Sequence, residues 1–333
     1  MITMTCSRGG RRYGIFSGAL WGLDTVVLAI ALAMAPFLHF GQSALAGAVL
    51  HDVGCALALL VYMGVRGRLA DTWRALGTRS GRSVVLAALL GGPIGMSGYL
   101  IAIDNIGPGL TAIISTFYPA VGTFLAFLLL KERMRPRQIL ALLVALGAIV
   151  VTGWSATSDP VEGGNAVLGV VAALACVVGW GSEAVILAWG MRDDLVDNET
   201  ALQIRETTSG LVYLLVVAPI AGVFGFTLHA VPTLGTGVVA LAALAGTASY
   251  LFYYKAIAAI GASRGMALNI SYSAWAIIFA LLLQKTVPSP VQIVCCAVIL
   301  VGTVLAATPD WGELVPRMGR KADLAAVPGA GQV

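Results

Sequence analysis

The chain has 333 residues, 59% hydrophobic and only 11% charged, with a mean hydropathy of +0.91 and a formal net charge of +4. Water-soluble domains are about half apolar and a quarter charged, so the sequence reads as an all-α integral membrane protein. The basic residues flank apolar segments instead of forming one face, which excludes a nucleic-acid partner. The five cysteines show no CxxC or Cys/His spacing and read as small packing residues.

In chain order, ten apolar runs of spanning length are expected. They fall at about 13–37, 43–65, 83–105, 109–130 and 138–155, then 166–190, 207–227, 236–260, 266–284 and 291–307. The first follows Arg8, Arg11 and Arg12 and ends near Ala33-Met34-Ala35. It is longer than a secretory h-region and Pro36 follows the would-be cleavage site, so it reads as an uncleaved span. A basic loop, Arg66 to Arg82, separates the second and third runs, and Lys131 to Arg137 follows the fourth. A loop without Lys or Arg, Ala156 to Asn165, opens the second half.

The placement of Lys and Arg sets the orientation. With a cytoplasmic N-terminus, every one of the 20 basic residues falls on the inside except Lys255, within a span, and Lys285, outside. The expectation is ten spans with both termini cytoplasmic and a Pro/Gly/Ala-rich cytoplasmic tail at 308–333.

An internal echo organises the chain. Trp21-Gly22-Leu23-Asp24 returns as Trp180-Gly181-Ser182-Glu183, and Tyr99, Gly107, Tyr118, Pro136 and Gln138 are matched by Tyr253, Gly261, Tyr272, Pro290 and Gln292. Residues 13–155 and 166–307 therefore read as two five-helix repeats. Five is odd, so the second enters the membrane from the opposite side. Inverted repeats place a substrate site near the midplane and exchange inward- and outward-open states, which argues for a transporter with a central cavity.

Further residues carry a family likeness. Gly18-Ala19-Leu20-Trp21-Gly22 opens the first half, Lys131-Glu132-Arg133 follows the fourth span, and Gln138 precedes a fifth span containing Gly147. Tyr250 to Ile257 then runs into Ala259-Ile260-Gly261-Ala262-Ser263. Over nearly all of 13–307 the chain resembles the paired EamA domains of the drug/metabolite transporter superfamily. Within it, the chain is most similar to bacterial amino-acid exporters of the YddG type. The resemblance implies ten helices, a central cavity, and export of amino acids (aromatic ones included), other metabolites or drugs across a bacterial inner membrane. Two positions depart from the pattern: Lys285-Thr286 stands where Lys131-Glu132 stands in the first half, and Ser273 stands opposite Pro119.

Ionisable groups inside spans usually face the bundle interior or a water-filled cavity. Asp24 lies 12 residues past Arg12, roughly 18 Å along a helix and close to mid-membrane. It is the candidate for a substrate ammonium or a coupling proton, against the alternative of a neutral, hydrogen-bonded carboxyl. Glu183 is nearer the inner surface, and a helix-end acid paired with Arg192 or Arg205 is the competing reading. His51-Asp52, in the second span, is a candidate proton relay or a satisfied buried pair, since adjacent helical residues point about 100° apart.

Tyr99, Tyr118, Tyr250, Tyr272, Trp21, Trp180 and Trp275 lie within spans and are candidates to wall a cavity, although ordinary packing accounts for any one of them. Asp104-Asn105 reads as a helix end, and Lys255 as snorkelling to the inner face. Gly91 to Gly98 lacks the Lys-Ser/Thr of a phosphate loop, and no Ser/His/Asp or Cys/His arrangement supports an enzyme. Nothing calls for a cofactor, and the sequence is compatible with a monomer in a lipid bilayer without fixing the oligomeric state. The expected function is a secondary exporter of amino acids or related small metabolites working by alternating access; the alternative is a multidrug–proton antiporter.

Overall fold

In hydrocarbon every backbone N–H and C=O must find a partner inside its own segment, so apolar runs of this length fold as helices. A computed structural model describes residues 8–154, 163–193 and 195–314. Most of the Ala156–Asn165 loop, and the tail past Leu314, lie outside the described residues.

The helices are α1 (Arg8–Leu32), α2 (Ser43–Val65), α3 (Leu69–Leu76), α4 (Arg79–Gly107), α5 (Gly109–Leu130), α6 (Pro136–Trp154) and α7 (Ala166–Gly190). They continue as α8 (Asn198–Val212), α9 (Phe224–Ala230), α10 (Leu234–Ile260), α11 (Ala262–Gln284) and α12 (Pro290–Ala307). Among the described residues nine are long and apolar enough to cross a membrane: all but α3, α8 and α9. Side-chain caps fix several starts. Thr78 accepts from Gly81 N, Asn165 from Leu168 N, Asp197 from Thr200 N, Thr233 from Thr236 N, and Ser289 forms a capping box with Gln292.

The segment expected as a span at 207–227 differs. Its helix begins earlier, at Asn198, passes through widened turns at Tyr213–Val217 and ends at Ile220. Glu199, Arg205 and Glu206 gave this stretch the look of a loop, yet all three are buried. Arg205 in particular is not a loop residue marking the inner surface: it is 4% exposed inside the bundle.

The packing has a recurring pattern. α1 runs along α10, as the α4–α5 hairpin runs along α7; α1 also meets Tyr272–Phe279 of α11, as α7 meets Tyr118–Leu125 of α5; α2 pairs with α8, and α6 with α12. Backbone details recur at the same 154-residue spacing. Gly107 has φ 78°, ψ 162° and Gly261 has φ 90°, ψ 163°; Lys131 and Lys285 both have φ 59°. Each lysine follows a widened helical turn, Ala126–Leu130 and Ala280–Gln284. The glycines of the Trp-Gly echo earn their place by close approach. A Cβ on Gly22 would sit 2.9 Å from the carbonyl O of Tyr272, and one on Gly181 would sit 2.9 Å from that of Tyr118.

Candidate functional site

Where α1, α5, α7, α10 and α11 converge, Trp21, Tyr118, Trp180, Glu183, Tyr250, Tyr253 and Asn269 surround a small chamber. Its free volume of about 20 Å³ holds one water. The two tryptophans of the echo meet here, with ring centroids 6.2 Å apart and planes at 68°. Trp21 stacks on Tyr272 at 4.7 Å and lies 6.1 Å from Tyr250, while Tyr118 and Tyr99 flank Trp180 at 5.8 and 5.5 Å. Hydrogen bonds fix the rings: Trp180 Nε1 donates to the carbonyl of Gly91 at 3.0 Å. Tyr118 Oη donates to Asn269 Oδ1 at 3.0 Å, and Asn269 Nδ2 to Ser17 Oγ at 2.8 Å. An electron-rich ring face attracts a cation, so this wall suits a substrate with a positive head.

The charge beside the chamber is organised by Arg205. Its Nε donates to Glu183 Oε1 at 3.0 Å, Nη1 to Glu206 Oε2 at 3.1 Å and Nη2 to Tyr250 Oη at 3.0 Å, and the guanidinium lies 4.5 Å from the Tyr250 ring centroid. A second cluster joins α1, α2 and α8. His51 Nε2 lies 3.0 Å from Asp24 Oδ1, His51 Nδ1 is 3.5 Å from Asp52 Oδ1, and Ser209 Oγ donates to Asp52 Oδ2. Both imidazole nitrogens thus face carboxylate oxygens, an arrangement an imidazolium can satisfy by donating twice. Cys55 Sγ sits 3.7 Å from His51 Nδ1. Arg205 and Ser209 are one helical turn apart on α8, so a single face carries both clusters.

The two clusters stand in sequence relation to each other. Asp24 and Glu183 occupy the same place in the echo, and the dipeptide His51-Asp52 lies 154 residues before Arg205-Glu206. Each half therefore presents a carboxylate on its first helix to a cation–acid pair on its second, and the primary pairs share one separation, 3.0 Å.

The expected residues divide accordingly. Trp21, Tyr118, Trp180, Glu183 and Tyr250 line the chamber, and Tyr99 and Tyr272 back it. Asp24, His51 and Asp52 form the neighbouring cluster and do not line it. Trp275 is elsewhere: it packs against Gly22 and lies 6.4 Å from Phe279. Glu183, expected near the inner surface, is the acid on the chamber wall, and its partner is Arg205 and not Arg192, which donates to the carbonyl of Leu130. The sequence reading did not nominate Arg205, Glu206, Tyr253 or Asn269 for the site. The spacing between His51-Asp52 and Arg205-Glu206 was the signal that could have found the first two.

Among the described residues, ion pairs outside the bundle interior gather at the end that holds the start of α1. Arg68 reaches Asp71 at 2.9 Å, Asp197 at 2.7 Å and Glu199 at 2.7 Å. The bonds to Asp197 and Asp71 hold the Arg68 guanidinium above its ordinary range. Burial pushes the Asp197 carboxyl up, but bonds from the amide and hydroxyl of Thr200 and from Arg68 outweigh it and hold the group below the usual carboxylate range.

Residues 10–154 and 167–308 each match the EamA-like transporter family. The chain is 28% identical to Protein LicB of Haemophilus influenzae over 224 residues, which covers 66% of this chain and 73% of that protein. A solved crystal structure aligns with 89% of this chain and 96% of its own at a TM-score of 0.62 and 20% identity, which shows a shared fold.

Proposed function

This chain belongs to the EamA-like transporter family, and from that premise we propose that it is a secondary transporter of small metabolites bearing an ammonium group, amino acids among them. The observation that carries the substrate class is the chamber: five aromatic side chains, Trp21, Tyr118, Trp180, Tyr250 and Tyr253, beside the carboxylate of Glu183. Ring faces and one acid favour a cation with an apolar body, and an aromatic amino acid or a small amine meets both demands. Export is the direction the resemblance implies.

The architecture of the proposal is ten spans in two inverted five-helix units, 13–155 and 166–307, with α8 and its continuation to Ile220 as the seventh span. The paired packing and the repeated backbone angles at Gly107/Gly261 and Lys131/Lys285 support it. The strong bias of Lys and Arg to one end supports cytoplasmic termini in a bacterial inner membrane. A chamber with room for one water cannot hold a metabolite, so the aromatic walls part during alternating access, first to one side and then to the other.

Coupling to protons is the second reading, and one observation favours it. Among the described residues, four buried carboxyls, Asp24, Asp52, Glu183 and Glu206, share only Arg205 and His51 as cationic partners. Burying that excess of negative charge is costly unless protons balance it, and His51, between two carboxylates, is placed to exchange one.

Reconstituted vesicles test the proposal. Amino acids or small amines are expected to cross without ATP, driven by their own gradient, and a pH gradient is expected to drive them if protons are coupled. If no ammonium-bearing metabolite moves in either direction under either gradient, the proposal falls.

A further inference from the structure

The two ends of the bundle are closed by different chemistry. At the end that holds the start of α1, the carboxylate of Glu132 grips the turn between α10 and α11: Ala262 N donates to Oε1 at 2.9 Å and Ser263 N to Oε2 at 3.0 Å. These are two of the four amides a helix start leaves without a partner, and an acid there is favoured by charge-assisted hydrogen bonds and the helix dipole. Gly261, at φ 90°, leaves room for the carboxylate, since a Cβ there would come within 2.7 Å of it. The contact joins the first half of the chain to the second. At the same end Arg68 and Arg66, from the first half, bind Glu199, from the second, with Arg68 also on Asp197.

At the opposite end the matching positions have the same backbone without the charge. Adding 154 to Glu132 gives Thr286, and subtracting it from Ala262 and Ser263 gives Pro108 and Gly109. The amides of Glu132 and Thr286 make the same turn, to the carbonyls of Ala126 and Ala280 at 3.2 and 3.3 Å. Yet Thr286 carries no carboxylate, and Pro108 has no N–H to offer. The positions matching Arg68 and Glu199 are Gly222 and Leu45, in a region packed by Leu45, Val49, Ala221 and Val223. Phe40 stacks on Phe226 nearby at 3.7 Å.

From this asymmetry we infer that Glu132 is a latch on one gate only: it holds closed the membrane face carrying the start of α1 and sets the resting state of the transporter to the opposite opening. The inference rests on the alternating-access reading above. Opening the latched face separates the α4–α5 hairpin from the α10–α11 turn, so both hydrogen bonds break in that step, and among the described residues no carboxylate–amide pair of this kind breaks at the other face. Arg66, Arg68, Asp197 and Glu199 act in the same sense, because they tie α2 and α3 to the start of α8.

The test reads accessibility and not transport, so it stands or falls separately from the substrate. An Ala184→Cys reporter sits on the chamber wall, 1% exposed. It is labelled by a membrane-impermeant thiol reagent in oriented proteoliposomes, against protein lacking the reporter. Glu132→Gln removes the charge, and labelling from the latched face is expected to rise about tenfold while labelling from the other face falls. Ala262→Pro removes one donor at a helix position where proline is well tolerated and copies Pro108, and a smaller change of the same sign is expected. Unchanged labelling from the latched face in both variants, or an equal rise from both faces, would overturn the inference. Ala262→Pro keeps the test open if Glu132→Gln does not fold.

Discussion

Arg205 is the residue whose removal tells most about the site. Its side chain is 5% exposed, and its partners Glu183 and Glu206 are 9% and 0% exposed, so neither acid can turn to water when the guanidinium goes. Breaking a buried pair by deleting one partner costs about 3–5 kcal/mol, because the remaining charge stays buried and uncompensated. Arg205→Met keeps length and packing while deleting the charge, and strands two acids at once. At roughly 2–4 °C per kcal/mol for a mid-sized domain, the melting temperature is expected to fall by roughly 10 °C. Intrinsic tryptophan fluorescence in detergent and in nanodiscs reads the transition.

The companion variant separates charge from packing. Adding Glu206→Gln removes one of the stranded acids, and Glu206 Oε1 has no hydrogen-bond partner to lose, so the double variant is expected to melt above Arg205→Met alone. Equal melting temperatures for wild type and Arg205→Met, or no recovery in the double variant, would refute the account of Arg205 as the counter-charge of these carboxylates.

Trp21→Ala removes the ring that meets Trp180, Tyr250 and Tyr272; half-saturation for an ammonium substrate is expected to rise about 5- to 30-fold in vesicle uptake, with Trp21→Phe milder. His51→Gln keeps a polar contact between Asp24 and Asp52 but cannot take up or release a proton, so the pH dependence of transport should flatten while exchange down a substrate gradient persists; an unaltered pH profile would remove His51 from the coupling path. Asp197→Ala deletes the cap on Thr200 N at the start of α8, at a cost of about 0.5–2 kcal/mol in thermal unfolding. Because the folded state holds Asp197 below its ordinary value, the capping contribution is present above about pH 4 and fades as pH falls through the folded value. The wild-type advantage over Asp197→Ala should therefore shrink in acid, modestly, since the side chain is 44% exposed.

The nine long helices were legible because a span announces itself by length and apolarity, whatever its neighbours do. Ala166–Gly190 and Gly109–Leu130 fall where the runs at 166–190 and 109–130 were read. α8 was not legible for the converse reason. Its first half carries Glu199, Arg205 and Glu206, and a sequence records polarity without recording that Tyr62, Arg68, Glu183 and Tyr250 are waiting to satisfy it. The partners of the acids were hidden in the same way. Asp24 and His51 are 27 residues apart, Glu183 and Arg205 are 22 apart, and Asp52 and Ser209 are 157 apart, so only the packing of α1, α2, α7 and α8 brings them together. Depth along a helix, counted from Arg192, placed Glu183 near the surface and so undervalued it.

The repeat-related clusters point to a division of labour that neither half shows alone. Duplication supplies an acid, a cation and a second acid twice over, and packing keeps both sets buried. Where the cation is Arg205 the charge is permanent, and the cluster braces Glu183 and Tyr250 against the chamber. Where it is His51 the charge comes and goes with a proton, and the cluster lies one helix away from the chamber, against Gly246 of α10. A Cβ on Gly246 would come within 3.0 Å of both Asp24 Oδ2 and His51 Nε2, so α10, which carries Tyr250 one turn later, touches the ionisable pair directly. A change of charge at His51 therefore has a short mechanical route to the chamber wall: from the imidazole to the backbone of α10, and along one turn of helix to Tyr250. A second arginine at 51 would have made the halves more alike and left that route with nothing to transmit.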